Sequence, residues 1–181
     1  LGPLTNLAIL ALTQPGLLAN ISKLIWMGDG ITRGNHTASA EFNALADPEA
    51  LAVLLARGVV ITMVDLDACR KVEIIEEDIT ALKSSQLMKD LLGGYLDIAL
   101  SRQRPAMAHY DPVAAAALVA PSAFQFAPAR IEVELAGNLT RGRTIVDQRD
   151  PKSANALVVR DLDAERVTPS GLSALQNRSG T

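Results

Sequence analysis

The sequence has 181 residues, enough for a buried core, and we expect residues 1–181 to form a single domain. Hydrophobic residues make up 49% of it, but no apolar run approaches the roughly 20 residues that a membrane-spanning helix needs, so we expect no membrane partner. Aromatic residues are only 3% and the net charge is −3, which argues against a nucleic-acid polymer as partner. The lone Cys69 excludes a disulfide framework and a cysteine zinc cluster, and it favours a cytoplasmic location.

The predicted strands alternate with helical segments along the chain. Apolar, β-branched runs typical of buried strands are Leu24–Met27, Val59–Leu66, Ile131–Leu135, Thr144–Val146 and Ala156–Val159. This alternation predicts an α/β fold with a mostly parallel central sheet flanked by helices. The last strands follow each other closely, which predicts an antiparallel edge.

Helix signals fall between these strands. Asp47-Pro48 supplies an N-cap and a first helical position, which predicts a helix over Glu49–Ala56. A longer helical stretch runs from about residue 77 to residue 100, and we expect a break at Gly93-Gly94. Asp111-Pro112 predicts a further helix through Val119, with Asp111 as its N-cap.

A polar, glycine-rich loop follows the first predicted strand, where α/β sheets bind their ligands. This loop carries Asn35, His36, Glu41 and Asn43. Glu41 and Asn43 are two residues apart, so in an extended segment their side chains project to the same side. Carboxylate and amide groups together suit a polyol, because hydroxyl groups both donate and accept hydrogen bonds. The alternative is a solvated loop, and its GDG lacks the spacing of a dinucleotide-binding loop.

Two further polar clusters have simple structural explanations when each is taken alone. His109-Tyr110-Asp111 directly precedes Pro112, and helix capping by Asp111 accounts for it. One aspartate does not make a calcium site, because calcium takes about six to eight oxygen ligands. Thr5-Asn6 follows Gly2-Pro3, and a capped helix start accounts for that pair.

Taken together, the clusters resemble the inosine-uridine preferring nucleoside hydrolase family over essentially the whole chain. The matching stretches are GPLTNLA, MGDG…GNHTASAEFNALADPEA, Leu66-Asp67, YDPVAAAALVAP and LTRGRTIVD. The resemblance implies calcium-dependent hydrolysis of the N-glycosidic bond of ribonucleosides, through an oxocarbenium-like transition state, to ribose and a free base. It also implies roles for six residues: Asp111 and the Thr5 backbone carbonyl as calcium ligands, Asn35 and Glu41 at the ribose 5′-hydroxyl end, Asn43 at the ring hydroxyls, and Met27 in the sugar pocket.

Two departures from the family pattern limit this inference. The aspartate-rich motif that supplies most calcium ligands and the general base in family members is absent, so the chain resembles the carboxyl-terminal portion of such an enzyme. We therefore expect weak calcium binding and little activity of this chain by itself. The second departure is Tyr110, which stands where many members have a histidine directly before the metal-binding aspartate.

Tyr110 is therefore the first candidate for contact with the leaving group, and His109 is a weaker catalytic candidate. Adjacent residues point in different directions, so His109 does not simply inherit the role, and we expect it to be an exposed loop residue. A tyrosine hydroxyl is a weaker acid than an imidazolium, which leaves the preference between purines and pyrimidines open.

Three functions are open at this point. The first is a nucleoside N-ribohydrolase. The second is a non-catalytic, truncated remnant or ligand-binding protein that oligomerises over the apolar surface its missing strands would cover. The third is an enzyme that acts on another ribosyl compound, with Tyr110 meeting a different leaving group. We expect a homo-oligomer and a small-molecule nucleoside as partners.

Overall fold

The computed structural model describes residues 2–168. Its main sheet contains the strands β1 Leu24–Met27, β2 Ile61–Val64, β5 Phe124–Val133, β6 Thr144–Asp147 and β7 Ala156–Leu162. They lie in the order β1-β2-β7-β5-β6; β1, β2 and β7 are parallel, and β5 is antiparallel to both of its neighbours. A separate antiparallel pair joins β3 Glu73–Ile74 to β4 Met107–Ala108. The predicted α/β fold and antiparallel edge are confirmed, and the sheet as a whole is mixed.

Helices cover both faces of this sheet. They are α1 Thr5–Thr13, α2 Phe42–Ala46, α3 Pro48–Ala56, α4 Leu66–Cys69, α5 Glu76–Ala81, α6 Gln86–Ser101 and α7 Asp111–Val119. Short 3-10 helices occupy Pro15–Asn20, Pro121–Ala123 and Pro151–Ser153, and residues 164–168 are helical. Within residues 2–168, no helix is both long and apolar enough to cross a bilayer.

The core lies in two layers because successive residues of a strand point to opposite faces of the sheet. Trp26, Met63 and Val158 are buried on one face together with residues of α1 and α3. Their neighbours Met27, Val64 and Val159 are buried on the other face with residues of α7. A smaller apolar cluster joins α5, α6 and the β3-β4 pair beside the main sheet.

Several boundaries differ from the sequence prediction, among them the predicted strand Val59–Leu66, which the structure shortens to Ile61–Val64 because Leu66 begins α4. The predicted helix 77–100 is interrupted between α5 and α6 and not at Gly93-Gly94, which lie inside α6. Ser85 starts α6 because its hydroxyl accepts a hydrogen bond from the Met88 N–H. The strand β5 begins seven residues earlier than the predicted Ile131, since it pairs with β7 along Phe124–Ala129.

The predicted caps have mixed outcomes. Asp47 does cap α3, its carboxylate accepting from the Ala50 N–H, as predicted. Asp111 is wrong as an N-cap, because Tyr110 holds that position without a side-chain cap and Asp111 is the first helical residue. The capped start at Thr5-Asn6 is also wrong: Leu4 is the N-cap residue of α1, and the Thr5 hydroxyl donates to Asp47 instead.

Candidate functional site

The loop between β1 and α2, residues 28–41, closes tightly on itself. The Ala40 carbonyl accepts hydrogen bonds from the N–H groups of Asn35 and His36, at 3.3 Å each. A Cβ atom on Gly34 would lie 2.2 Å from the Ala40 carbonyl oxygen, so any side chain there would force the loop open. The glycine at this position is therefore required by the close approach of backbone to backbone.

Two side chains hold the backbone of this loop: Asp67 in α4 and Arg70 at the C-terminal end of that helix. Asp67 accepts hydrogen bonds from the backbone N–H of Thr32 at 2.8 Å and from its hydroxyl at 2.6 Å. Arg70 forms an ion pair with Asp67 at 2.8 Å and donates to the Gly34 carbonyl at 3.1 Å. Because Gly34 directly precedes Asn35, the Asp67–Arg70 pair positions the polar end of the loop.

The four residues that the family resemblance assigns to the sugar lie in this loop or directly beside it. The Asn43 side-chain amide donates to the Met27 carbonyl at 3.0 Å, and the Asn35 side-chain oxygen accepts from the Phe42 N–H at 3.0 Å. Glu41 is buried and caps α2, its carboxylate accepting from the Ala44 N–H at 3.0 Å. The extended segment predicted for Glu41 and Asn43 is wrong, because the helix begins at Phe42 and a helix start turns both residues inward.

Buried carboxyl groups follow β1 and β2 where these parallel strands end. Asp29 and Asp65 are each 1% exposed, and the Asp29 N–H lies 3.4 Å from the Glu41 carboxylate. Burial raises the pKa of Asp29 to about 7, and the negative charges of Asp65 and Glu41 add to that rise. Burial also raises the pKa of Glu41 and of Asp65.

Asp29 is the most constrained of these groups. Its backbone is left-handed, with φ of +79°, and its Oδ1 accepts from the Gly30 N–H at 2.6 Å. Its Oδ2 is buried without a hydrogen-bond partner among the described residues, although the nearby Thr144 hydroxyl partly opposes the rise of its pKa. A carboxyl group with one unsatisfied buried oxygen favours its neutral form.

The structure separates the adjacent residues His109 and Tyr110. His109 is only 6% exposed and its N–H donates to the Val72 carbonyl, so the predicted exposed loop histidine is wrong. It is buried because β4, which ends at Ala108, pairs with β3 and carries the next residue inward. Burial lowers the pKa of His109, which favours the neutral imidazole.

Tyr110 is half-buried, and the Cys69 thiol donates to its carbonyl at 3.6 Å. Burial raises the pKa of the Tyr110 hydroxyl, and the guanidinium groups of Arg70 and Arg104 oppose that rise. Tyr110 lines a cavity of about 310 Å³ together with Asn35 and Phe42. The structure therefore brings Tyr110 to the same cavity as Asn35, whereas His109, Met27, Glu41 and Asn43 are not among the residues that line this cavity.

Asp111 and Thr5 do not by themselves form a calcium site. Asp111 is exposed at the start of α7, although its charge contributes to the raised pKa of Glu41. No hydrogen bond among residues 2–168 joins Thr5 to Asp111, and no three His, Cys, Asp or Glu side chains in that range are placed to hold a metal. Calcium takes about six to eight oxygens, so the described residues alone do not fit it.

Sequence reasoning missed the buried acids and the arginines of this region. Asp29 and Asp65 follow strands β1 and β2 almost directly, and an acid directly after an apolar run was the available signal. Arg102 and Arg104 also line the cavity, but two arginines after a helix look like ordinary solvent-exposed residues in a sequence. Only the tertiary structure brings them next to the loop.

Comparison with known proteins agrees with the family resemblance seen in the sequence. The family model described as inosine-uridine preferring nucleoside hydrolase matches residues 1–168. The chain is 34% identical over 174 residues to a pyrimidine-specific ribonucleoside hydrolase, RihA, of Shewanella woodyi, covering 90% of this chain and 55% of that protein. It is also 34% identical over 171 residues to a non-specific ribonucleoside hydrolase, RihC, of Klebsiella pneumoniae, covering 91% and 55%.

A solved structure has a similar fold over nearly the whole of this chain. The purine-preferring ribonucleoside hydrolase of Gardnerella vaginalis aligns with a TM-score of 0.86 and 26% identity, over 96% of this chain and 58% of that one. The chain thus spans about half the length of the curated relatives it matches. On the family model and these relatives, the chain belongs to the inosine-uridine preferring nucleoside hydrolase family.

Proposed function

We propose that this chain provides the ribose-binding and leaving-group side of an enzyme that hydrolyses the N-glycosidic bond of ribonucleosides. One observation carries the proposal: Met27, Asn35, Glu41 and Asn43 lie in or directly beside one anchored loop, and Asn35 shares its cavity with Tyr110. Amide donors and carboxylate acceptors together match the hydroxyl groups of a ribose. Family membership and the ribonucleoside hydrolases among its relatives support the same reaction.

The carboxylates of this region suit the sugar half of the reaction. As the bond between C1′ and the base nitrogen breaks, positive charge develops on the ring oxygen and C1′. Fixed negative groups stabilise that charge because they are oriented before the reaction begins. Glu41 is held by backbone N–H groups at 3.0 and 3.4 Å, which fixes its carboxylate in one orientation. A water oxygen then bonds to C1′ and its released proton passes to the solvent, which leaves ribose.

Tyr110 suits the other half of the reaction. The departing base must gain a proton at its nitrogen, and the Tyr110 hydroxyl lines the cavity beside the loop. Its raised pKa keeps the hydroxyl protonated at neutral pH, so it can donate a hydrogen bond or a proton to the base. We propose this role for Tyr110 in preference to His109, which is buried and outside that cavity.

We also propose that calcium binds at Asp111 and the Thr5 carbonyl when further oxygen ligands are supplied from outside residues 2–168. The described residues by themselves do not fit the ion, so none of the steps above depends on it. A nucleoside is the proposed partner, and a homo-oligomer is the proposed assembly.

The proposal is tested by expressing the whole reading frame in which this sequence lies and assaying ribose release. Inosine, uridine and cytidine are supplied with calcium and, in parallel, with a chelator. We expect release from at least one nucleoside, and we expect the Glu41→Gln and Asn43→Ala variants to lose most of it. No release from any of the three would overturn the proposal and favour the non-catalytic remnant.

A further inference from the structure

Two adjoining cavities beside the loop share a wall that is rich in arginine. Their volumes are about 350 and 310 Å³, which is within the size range of small-molecule sites. Six residues line both cavities, and they are Arg33, Arg70, Tyr95, Arg102, Arg104 and Tyr110. Four of the six are arginines and the other two carry phenolic hydroxyl groups. The chain as a whole has a net charge of −3, so this concentration of positive charge is local.

Most of this positive charge is not neutralised within the described part of the chain. Only Arg70 is paired there, with Asp67. No hydrogen bond or ion pair with another described residue engages the guanidinium groups of Arg33, Arg102 and Arg104. Glu73 is the one carboxylate among the residues lining the first cavity, and none lines the second. Arg33, Arg102 and Arg104 are each exposed to solvent, so their guanidinium groups are open to an anion that enters these cavities.

We propose that this arginine wall is a subsite for an oxyanion, a phosphate or a carboxylate, carried by the ribosyl substrate. Arginine is the side chain best suited to such groups, because its planar guanidinium donates two parallel hydrogen bonds to phosphate or carboxylate oxygens. The Tyr95 and Tyr110 hydroxyls lie in the same wall and add neutral donors. The substrate class is therefore an anionic ribosyl compound, preferred over a neutral nucleoside.

This subsite rests on the proposed function, because the same cavity holds residues assigned to the nucleoside. Asn35, which is assigned to the ribose 5′-hydroxyl end, lines the second cavity, and so does Tyr110, which is assigned to the leaving group. A phosphate on the 5′-oxygen and a carboxylate on the base both place the same chemistry against the arginines. The two sources are distinguished by experiment.

Titration calorimetry with the 181-residue chain tests the subsite without any need for catalysis. Three ligands are compared. Uridine carries no anion, uridine 5′-monophosphate carries a 5′-phosphate, and orotidine carries a carboxylate on its base. We expect at least one of the two anionic ligands to bind about 10-fold to 100-fold more tightly than uridine, as charge-assisted hydrogen bonds require. The anionic ligand that binds more tightly than uridine identifies the source of the anion, and its gain in affinity over uridine falls as the salt concentration is raised.

The variant Arg102→Gln/Arg104→Gln is expected to reduce this advantage at least 10-fold. The matched control is Arg57→Gln/Arg160→Gln, which removes the same charge at positions that line neither cavity and keeps the preference. Equal binding of all three ligands, no binding of either anionic ligand, or a preference that survives in the Arg102→Gln/Arg104→Gln variant would each overturn the subsite. Hydrolysis of uridine without an anion preference refutes the subsite alone, whereas an anion preference without any hydrolysis refutes the proposed function.

Discussion

At the scale of single residues, Asp29 is held in an environment that suits its neutral form. It combines a left-handed backbone, nearly complete burial and a carboxylate oxygen with no hydrogen-bond partner among residues 2–168 with two acidic neighbours, Asp65 and Glu41. Its pKa rises to about 7, so the folded protein binds this proton more tightly than the unfolded chain does. Stability then falls as the pH rises from the unfolded value of 3.8 to the folded value of about 7.

The Asp29→Asn variant tests this linkage. Asparagine tolerates the left-handed backbone and has no charge to bury, so the variant removes the pH-dependent contribution of this site. We expect the difference in unfolding free energy between variant and wild type to grow in favour of the variant by up to about 1.4 kcal/mol per pH unit between pH 4 and 7. Urea denaturation at pH 5 and at pH 7.5 measures it. A difference that is the same at both pH values contradicts the assignment.

Tyr110 is the second residue with a clear test. The Tyr110→Phe variant removes the hydroxyl and keeps the ring, so it removes the donor to the departing base. We expect kcat on nucleosides to fall about 100-fold, at the lower end of the range for a general acid. A nitrophenyl riboside, whose leaving group needs little protonation, is the control substrate and is expected to lose little. Equal losses on both substrates would show that Tyr110 acts on the structure of the site instead.

At the scale of elements, the loop 28–41 owes its shape to contacts within itself and to α4. Asp67 and Arg70 bind its backbone from outside, while the Ala40 carbonyl collects N–H groups from inside. The residues between β5 and β6 cover it as well, since the Ser39 hydroxyl donates to the Leu139 carbonyl. The polar side chains of this loop are therefore placed by a rigid backbone.

The Gly34→Ala variant is expected to open this loop while the sheet stays folded. The added Cβ atom would meet the Ala40 carbonyl oxygen at 2.2 Å, so the hydrogen bonds from Asn35 and His36 cannot persist. Hydrogen exchange is expected to accelerate at those two amides and to stay slow in β2. Gly94→Ala is the matched control, because nothing lies within 4 Å of its Cβ position in α6, and it should stabilise the helix by about 1 kcal/mol. Unchanged exchange at Asn35 in the Gly34→Ala variant would contradict the tight closure.

At the scale of the whole molecule, the described residues bring the proposed ribose-binding residues near one another but do not form a complete metal centre. Asp111 is exposed, and no three His, Cys, Asp or Glu side chains within residues 2–168 are placed to hold a metal. Apolar side chains are also exposed along α6, where Leu87 and Leu91 are 69% and 61% exposed. The homo-oligomer and the cytoplasmic location stay predictions.

Calcium binding is the prediction that belongs to this scale. We expect the 181-residue chain to bind calcium weakly, because ligand number and charge set the affinity and Asp111 is a single carboxylate. Titration calorimetry of the chain with calcium measures it, and Asp111→Asn should abolish whatever binding there is. Tight binding that survives in the Asp111→Asn variant would place the ion at other residues of the chain.

The sequence by itself determined the approximate places of the five main-sheet strands, the Asp47 cap of α3 and the family. Apolar runs predicted five strands, because burial and β-branching are properties of short segments, and Asp47-Pro48 predicted the start of α3 for the same reason. The family resemblance pointed to Asn35, Glu41 and Asn43, and the structure brings these residues together.

Only the tertiary structure decided what depends on distant partners. His109 is buried because β4 pairs with β3, and Asp29 favours its neutral form because burial raises its pKa and the charges of Asp65 and Glu41 add to that rise. The arginine wall exists because the loop after β1 meets α4 and the end of α6, segments that lie up to about 70 residues apart in the chain. Burial, charge and cavity shape are sums over such neighbours, so no local pattern in the sequence carries them.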